Sequence, residues 1–239
     1  MTDGTTAAKQ YDAMALEYST DNDDGPFNSL YERPAMLRML DDVTGLRVLD
    51  IGCGAGQLTS ALIDRGATVI GIDVSPRMID IARRRLGDAA VFDVADLTEP
   101  LGFESGSFDL VVASLVMHYI EDWVPVLREI RRVLTPTGAL VFSTHHPTMD
   151  WKLHSRDDYF AKKQSTETWT KGGKPFEVTC WRRPLRGISA EIRAAGFVID
   201  MLDEPAPDDR LAIVEPATNE YLTTHPHFLF VRAIPSPGA

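Results

Sequence analysis

Two stretches of this chain set glycines and carboxylates at spacings that suit ligand chemistry. The first reads Leu49-Asp50-Ile51-Gly52-Cys53-Gly54-Ala55-Gly56. Three glycines at alternate positions permit a tight turn whose backbone approaches a ligand closely, just ahead of the amides that open a helix. The second is Asp73, 17 residues beyond Gly56. A carboxylate there can accept both hydroxyls of a ribose. A third group is the histidines. His118, His145 and His146 are candidate general bases, because an imidazole titrates near neutral pH. His225 and His227 stand close before the end of the chain. A metal reading of His145-His146-Pro147 with Glu204 or Glu215 is weaker, because adjacent strand residues point to opposite faces. No bound metal is expected.

These residues need elements to hold them. Residues 7–18 carry Tyr11, Met14, Ala15 and Tyr18 at helical spacing, and the polar run 19–26 is expected to end that helix. A second helix is expected over 34–40. The period then changes. Residues 47–51 form a short apolar strand that ends in the glycine cluster, 57–65 a helix, and 67–74 another strand. In the helix over 75–86, Ser75 can cap, Pro76 suits the first helical position and Gly87 suits a left-handed stop. Further strands are expected at 89–94, 108–114 and 138–144. Trp123, Leu127, Ile130 and Leu134 give a helix face between the last two, with Pro125 tolerated in its first turn. Nearly continuous apolar strands alternating with helices imply a parallel sheet covered on both faces. Ligands bind such sheets outside the carboxyl ends of the strands, at the topological switch point. His118, His145, His146 and both acid-bearing turns fall at those ends. If the last strand is antiparallel, the His225–His227 loop joins them.

Residues 145–187 break the pattern. Residues 166–170 and 176–181 read as two strands around Lys171-Gly172-Gly173-Lys174, a hairpin signal. This insertion leaves the carboxyl end of the fifth strand and is expected to hang over the site. Its aromatics, Trp151, Tyr159, Phe160, Trp169, Phe176 and Trp181, suit either a cap over an apolar acceptor or a small core of the hairpin's own. A helix ending near Gly196, a strand over 197–202, a Pro- and Asp-rich loop and a strand over 228–234 follow. Asp21, Asp23, Asp24, Asp208 and Asp209 are expected to be solvated. Tyr11 and Tyr18 suit helix packing as well as a lid.

The glycine spacing separates two ligand classes. Dinucleotide binders use G-x-G-x-x-G, with the third glycine set for close helix packing. Here the turn is G-x-G-x-G and Asp50 precedes it. An extra carboxylate beside the turn suits a cation better than a pyrophosphate. S-adenosylmethionine (SAM), with a sulfonium, an ammonium group and no phosphate, fits that description.

Taken together, VLDIGCGAGQLTSAL, GIDVSPRMI, VADL, FDLVVASLVMHYIEDW and LREIRRVLTPTGALVFS resemble the successive motifs of class I SAM-dependent methyltransferases. They are most similar to the bacterial small-molecule group that includes the ubiquinone/menaquinone-type enzymes. The resemblance covers roughly residues 11–146, and RRPLRGISAEIRAAGF and FLFVRA extend it. It implies an α/β, Rossmann-like fold: a seven-stranded, mostly parallel sheet with helices on both faces and the last strand antiparallel. The hairpin-containing insertion would be added after the fifth strand. It also implies site roles. Gly52, Gly54 and Gly56, with Cys53 between them, would line the methionine part of SAM, and Asp50 would lie near its ammonium end. Asp73 would hold the ribose, Val74 and Met78 would flank the adenine, and Asp96 and Leu97 would meet the adenine amino group and ring. Ser114 would face the methionine portion and Tyr11 would close over the cofactor. The expected organisation is a single methyltransferase domain over 1–239: a helical lid (1–44), a SAM-binding core (45–144), a substrate cap (145–187) and the rest of the sheet (188–239).

Composition bounds the partners. The 239 residues are 44% hydrophobic, enough for one large core, and the net charge is −11. An acidic surface repels phosphate backbones, so no nucleic acid is expected. An exocyclic-amine nucleic-acid methyltransferase would also carry an Asn/Asp-Pro-Pro-aromatic turn after the fourth strand. Here that position reads Ala113-Ser114-Leu115-Val116. Cys53 and Cys180 have no metal spacing and are expected as free thiols in a reducing cytoplasm. The amino terminus is polar, and no apolar run approaches the ~20 residues that span a bilayer. The expected protein is cytoplasmic, off the membrane, and a monomer or homodimer. It would methylate an oxygen, nitrogen or carbon of a small, aromatic or hydrophobic acceptor. A non-catalytic SAM-binding module and an NAD-dependent oxidoreductase are the alternatives. The first would bind SAM without turnover, the second would not bind it at all.

Overall fold

Consecutive buried residues along the central strands put a covered layer on each face of the sheet. The computed structural model describes residues 4–154 and 156–237. The first three residues, read above as part of the polar amino terminus, lie outside the described residues, as do 238–239. Strands β1 (Arg47–Ile51) and β4 (Phe108–Ala113) are buried at nearly every position. With β2 (Thr68–Asp73), β3 (Val91–Val94), β5 (Leu134–His145), β8 (Phe197–Asp203) and β9 (Phe228–Pro235) they form one seven-stranded sheet in the order β3-β2-β1-β4-β5-β9-β8. Pairings from β3 across to β5 are parallel. β9 runs antiparallel to both β5 and β8. After β3 the chain crosses back and lays β4 beside β1. The carboxyl ends of β1 and β4 therefore flank the switch point, where a crevice must open.

The helices between strands follow their local signals. In α4 (Pro76–Leu86) the Ser75 hydroxyl accepts from the Met78 amide, and Gly87 ends the helix at φ +54°. In α5 (Trp123–Val133) Asp122 caps, and Trp123, Val126, Leu127, Ile130 and Val133 are buried. α5 packs on one face of the sheet together with α7 (Leu185–Ala194). α2 (Arg33–Arg38) and α3 (Gln57–Ile63) pack on the other. Among the described residues no helix is long and apolar enough to cross a membrane.

Several segments depart from expectation; β5 begins at Leu134 and not at 138, so Leu134 leaves the α5 face and pairs with Phe108 in the sheet. The first helix, α1 (Gly4–Asp24), does not stop at residue 19. Its polar last turn is held by tertiary partners: Asp23 pairs with Arg85 at 2.8 Å and accepts from Gln57 at 3.0 Å, and Asp21 pairs with Lys171. These acids are anchors, not a solvated loop. Next, the helix expected over 34–40 is preceded by a π-helical turn, Asn28–Glu32, in which the Arg33 amide bonds back to the Asn28 carbonyl. Such wide turns concentrate at functional sites. Further on, the chain after His146 forms α6 (Pro147–His154). Last, the Pro- and Asp-rich loop contains α8 (Leu211–Val214) and α9 (Pro216–Thr224), whose Leu211 and Leu222 enter the core; Asp208 receives the Arg210 amide and guanidinium.

The expected hairpin forms from β6 (Lys163–Lys171) and β7 (Lys174–Arg182), with Gly172 and Gly173 at φ +55° and +76° in the turn. It packs against α1 through Met14, Val178 and Cys180. Both cysteines are buried and unpaired.

β2 runs against Phe92 with no spare volume. A Cβ on Gly71 would lie 2.7 Å from the buried Phe92 ring and 3.0 Å from the Cys53 sulfur. Overpacking of this kind costs about 1–3 kcal/mol. Gly71→Ala is therefore expected to lower the urea midpoint by that equivalent with the slope unchanged.

Candidate functional site

The glycine turn sits where β1 meets the loop that follows β4. A Cβ on Gly52 would fall 2.1 Å from Val116 Cγ2, and Gly52 has φ +66°, so no other residue fits. Gly54 donates its amide to Asp73 Oδ2 at 2.9 Å and otherwise faces open space. Gly56 does a different job. Its absent side chain lets α3 lie against Leu86 and Ala82 of α4, the helix-packing role that the third glycine of a dinucleotide turn performs.

A cleft opens above this turn. Of the twelve residues assigned to SAM from sequence, ten line it: Tyr11, Asp50, Gly52, Cys53, Gly54, Asp73, Val74, Asp96, Leu97 and Ser114. Gly56 and Met78 do not. Met78 is fully buried, packed with Ala15 of α1 and Ala55 of the glycine turn. The Cys53 thiol packs away from the cleft with Ile79, Ala82 and Phe92.

The carboxylates define the chemistry of the cleft. Asp50 is buried; Oδ2 accepts from the Thr59 hydroxyl at 2.6 Å, while Oδ1 is buried with no partner. Burial pushes the Asp50 carboxyl up to about 7. Asp73 accepts the Gly54 and Ser75 amides, one on each oxygen, and burial raises it to about 6. A carboxylate has about four acceptor positions, so room for ribose hydroxyls remains. Asp96 is oriented by the Thr98 amide and hydroxyl.

Sequence reasoning missed the far wall. Glu32, at the end of the π-helical turn, is buried and accepts both Ser114 and Ser143 hydroxyls on one oxygen, at 2.8 and 2.5 Å. Burial raises its carboxyl. Arg33 beside it donates to the Asn22 carbonyl and side chain. No periodicity marks these two residues; only the wide turn brings both to one cleft. The cleft thus offers an orphaned carboxylate oxygen for a cation, an arginine for a carboxylate, and glycine amides between them. That donor set fits SAM.

A second chamber adjoins the first, sharing Tyr18, Asn28, Leu115 and Tyr119 with it. Leu115 holds φ +53°, a strained value for leucine, with its amide fixed by the Ser143 hydroxyl at 2.9 Å. The histidines separate here. His118, His145 and His227 line the chamber. His118 is buried with neither ring nitrogen partnered, and it stacks on His145 at 3.8 Å. His145 Nδ1 lies 3.2 Å from Asp150 Oδ1. His146 does not line the chamber; its Nε2 pairs with Glu204 at 2.6 Å. His225 stacks on Tyr221 instead. Burial lowers His118, His146 and, to about 4, His227. Of the six aromatics of the insertion, only Trp169 lines the chamber, stacked on Tyr18. Trp151, Tyr159 and Phe160 pack on one another.

Comparison with known proteins identifies the family. Residues 49–142 match the family described as "Methyltransferase domain". The chain is 30% identical over 193 residues to a ubiquinone biosynthesis O-methyltransferase of Xanthomonas oryzae pv. oryzae, covering 76% of this chain and 78% of that protein. It is 34% identical over 161 residues to a demethylmenaquinone methyltransferase of Lactococcus lactis, covering 64% of this chain and 60% of that one. The crystal structure of an S-adenosylmethionine dependent methyltransferase from Mesorhizobium loti superposes with a TM-score of 0.69 at 28% identity. That match covers 89% of this chain and 99% of the other.

The Asp50 carboxyl at about 7 gives ligand binding a pH signature. A bound ammonium favours the ionised carboxylate, so binding expels a proton below that value and weakens as pH falls. Affinity for S-adenosylhomocysteine is expected to drop between about pH 7 and pH 5, by at most about tenfold per unit for each proton released. Calorimetry on Asp50→Asn should show the step near pH 7 gone and the lower one, belonging to Asp73, retained. A wild-type affinity flat across this range rules the arrangement out.

Proposed function

The chain belongs to the SAM-dependent methyltransferase family, and on that premise we propose that it methylates an oxygen of a small, aromatic or hydrophobic molecule held beneath the hairpin. The observation that carries this reading is the continuity of the two cavities. The cofactor cleft and the second chamber meet at Tyr18, Asn28, Leu115 and Tyr119. A donor in one and an acceptor in the other can therefore approach without either crossing solvent. The names of relatives point to the same atom type, since the Xanthomonas protein is an O-methyltransferase.

SAM supplies an activated methyl group on a sulfonium. The chain's own residues orient and enclose. Asp50 and Glu32 would draw the ammonium end, Arg33 the carboxylate, and Asp73 the ribose, with Val74 and Leu97 at the adenine and Asp96 at its amino group. Tyr11, hydrogen-bonded to Tyr119 at 2.6 Å, closes the cleft from α1 and keeps water from the line of transfer. The orphaned Asp50 oxygen and the family membership together set aside the nicotinamide alternative.

An oxygen acceptor must lose a proton. His145 and His118 are the sequence candidates facing the chamber, and His145 is the one oriented by a carboxylate. His146, engaged with Glu204 outside the chamber, is not assigned a catalytic role. The chamber's apolar wall, from Leu115, Met149, Trp169 and Phe228, suits a ring.

Incubation with methyl-labelled SAM and a panel of small phenols, hydroxy acids and amines tests this assignment. Label on the oxygen of a low-molecular-weight compound is the expected result. Transfer only to macromolecules, or only to nitrogen, contradicts it. With the accepted compound, His145→Gln is expected to lower kcat by at least about a hundredfold with S-adenosylhomocysteine affinity unchanged. His146→Gln should leave both close to wild type.

A further inference from the structure

Three side chains from three separate elements converge on the wall of the second chamber. His145 ends β5, Asp150 lies in α6 and Glu167 in β6. One donor atom from each lies within 4.8 Å of the other two. We propose that His145, Asp150 and Glu167 hold a divalent transition-metal ion whose open positions take the oxygens of the acceptor. This rests on the oxygen-acceptor reading above and deepens it: the substrate class becomes molecules with two adjacent oxygens able to chelate.

The geometry is that of a ligand set shortly before it closes. With bonds of about 2.1 Å, neighbouring donors of an octahedral ion stand about 3 Å apart and opposite ones about 4.2 Å. The His145 Nδ1 to Asp150 Oδ1 separation of 3.2 Å is already such an edge. The remaining separations lie within 4.8 Å, little beyond the span of opposite donors. Glu167 is steadied by the Trp169 indole N–H, which donates to its Oε2 at 3.0 Å. One imidazole with two carboxylates is a borderline-to-hard donor set, suited to Mn²⁺, Fe²⁺ or Zn²⁺, and it neutralises a dication. Three protein ligands leave positions open on the chamber side, as in a catalytic site. An ion there lowers the pKa of a bound hydroxyl and fixes its lone pair; His145 then acts as a ligand and not as the base, and the hydroxyl proton passes to the unpartnered His118 imidazole on the same wall.

The second observation is independent of these three residues. His118 is 2% exposed, lines the same chamber and leaves both ring nitrogens without a partner. His227 Nδ1, also on the chamber wall, is buried and unpartnered too. Three imidazole nitrogens without hydrogen-bond partners in one cavity call for a polar occupant, and the water or acceptor oxygens around an ion provide it. A set of His118, His145 and Cys180 also converges. It is less suited, because the two imidazole planes lie 16° from parallel at 3.8 Å, and no single ion can lie in both.

The test is metal binding by the full chain after chelation, measured without turnover. Mn²⁺ titration followed by water-proton relaxation, and Co²⁺ titration followed in the visible spectrum, should each give one equivalent with micromolar affinity. Glu167→Gln and Asp150→Asn should each weaken binding by at least about tenfold. His146→Gln should not. Circular dichroism and S-adenosylhomocysteine binding establish that each variant is folded. Should Asp150→Asn fail to fold, Glu167→Gln on the hairpin suffices. Absence of binding into the millimolar range, or binding indifferent to both substitutions, overturns the proposal; His145 and Asp150 are then a plain hydrogen-bonded pair. Labelled-methyl transfer by the chelated protein would leave the oxygen-acceptor reading standing while the metal site falls.

Discussion

The loop after β4 presses directly onto the turn after β1, and Gly52 is what allows it. The space where its Cβ would stand is filled by Val116, 2.1 Å away, and the backbone there is left-handed. Because the two loops touch, the carboxyl ends of β1 and β4 form one continuous floor. On one side of that floor lie Asp50 and the glycine amides; on the other, Leu115 begins the chamber wall.

Glu32 locks this floor from above. Its carboxylate accepts hydroxyls from Ser114 after β4 and Ser143 in β5, and Ser143 in turn holds the strained Leu115 amide. A buried acid with its charge disfavoured by desolvation is thereby tied to β5 and to the residue that follows β4. The π-helical turn that delivers Glu32 is followed at once by Arg33, so an acid and a cation arrive together at the cleft. Above them α1 and the hairpin share a small core around Met14, Val178 and Cys180. The roof over both cavities is thus one packed unit built from opposite ends of the first 182 residues.

Local signals were the readable ones. Strands β1, β2 and β4 lay within a residue or two of their sequence-derived bounds, because burial on both faces forces nearly continuous apolar runs. The caps at Ser75 and Gly87 and the Gly-Gly hairpin turn were equally plain, since each depends on side-chain chemistry or φ at one or two residues. The polar end of α1 was not readable. Its residues disfavour a helix locally, and ion pairs with Arg85 and Lys171, remote in sequence, override that preference. The short helices α6, α8 and α9 escaped for a similar reason: each is too brief to show a period and is held by packing.

The sequence by itself determined the strands, the glycine turn at their carboxyl edge and most of the cleft lining. Those features follow from local chemistry: glycine at positive φ, nearly continuous apolar runs, and a carboxylate at a strand end. Only the tertiary structure decided that Glu32 and Arg33 belong to the cleft and that Met78 does not. It alone separated His145 from His146, adjacent in the chain yet directed to Asp150 and to Glu204. The reason is that a side chain's partners depend on which remote elements pack against it. That is a property of the fold as a whole, and it leaves no trace at the residue itself.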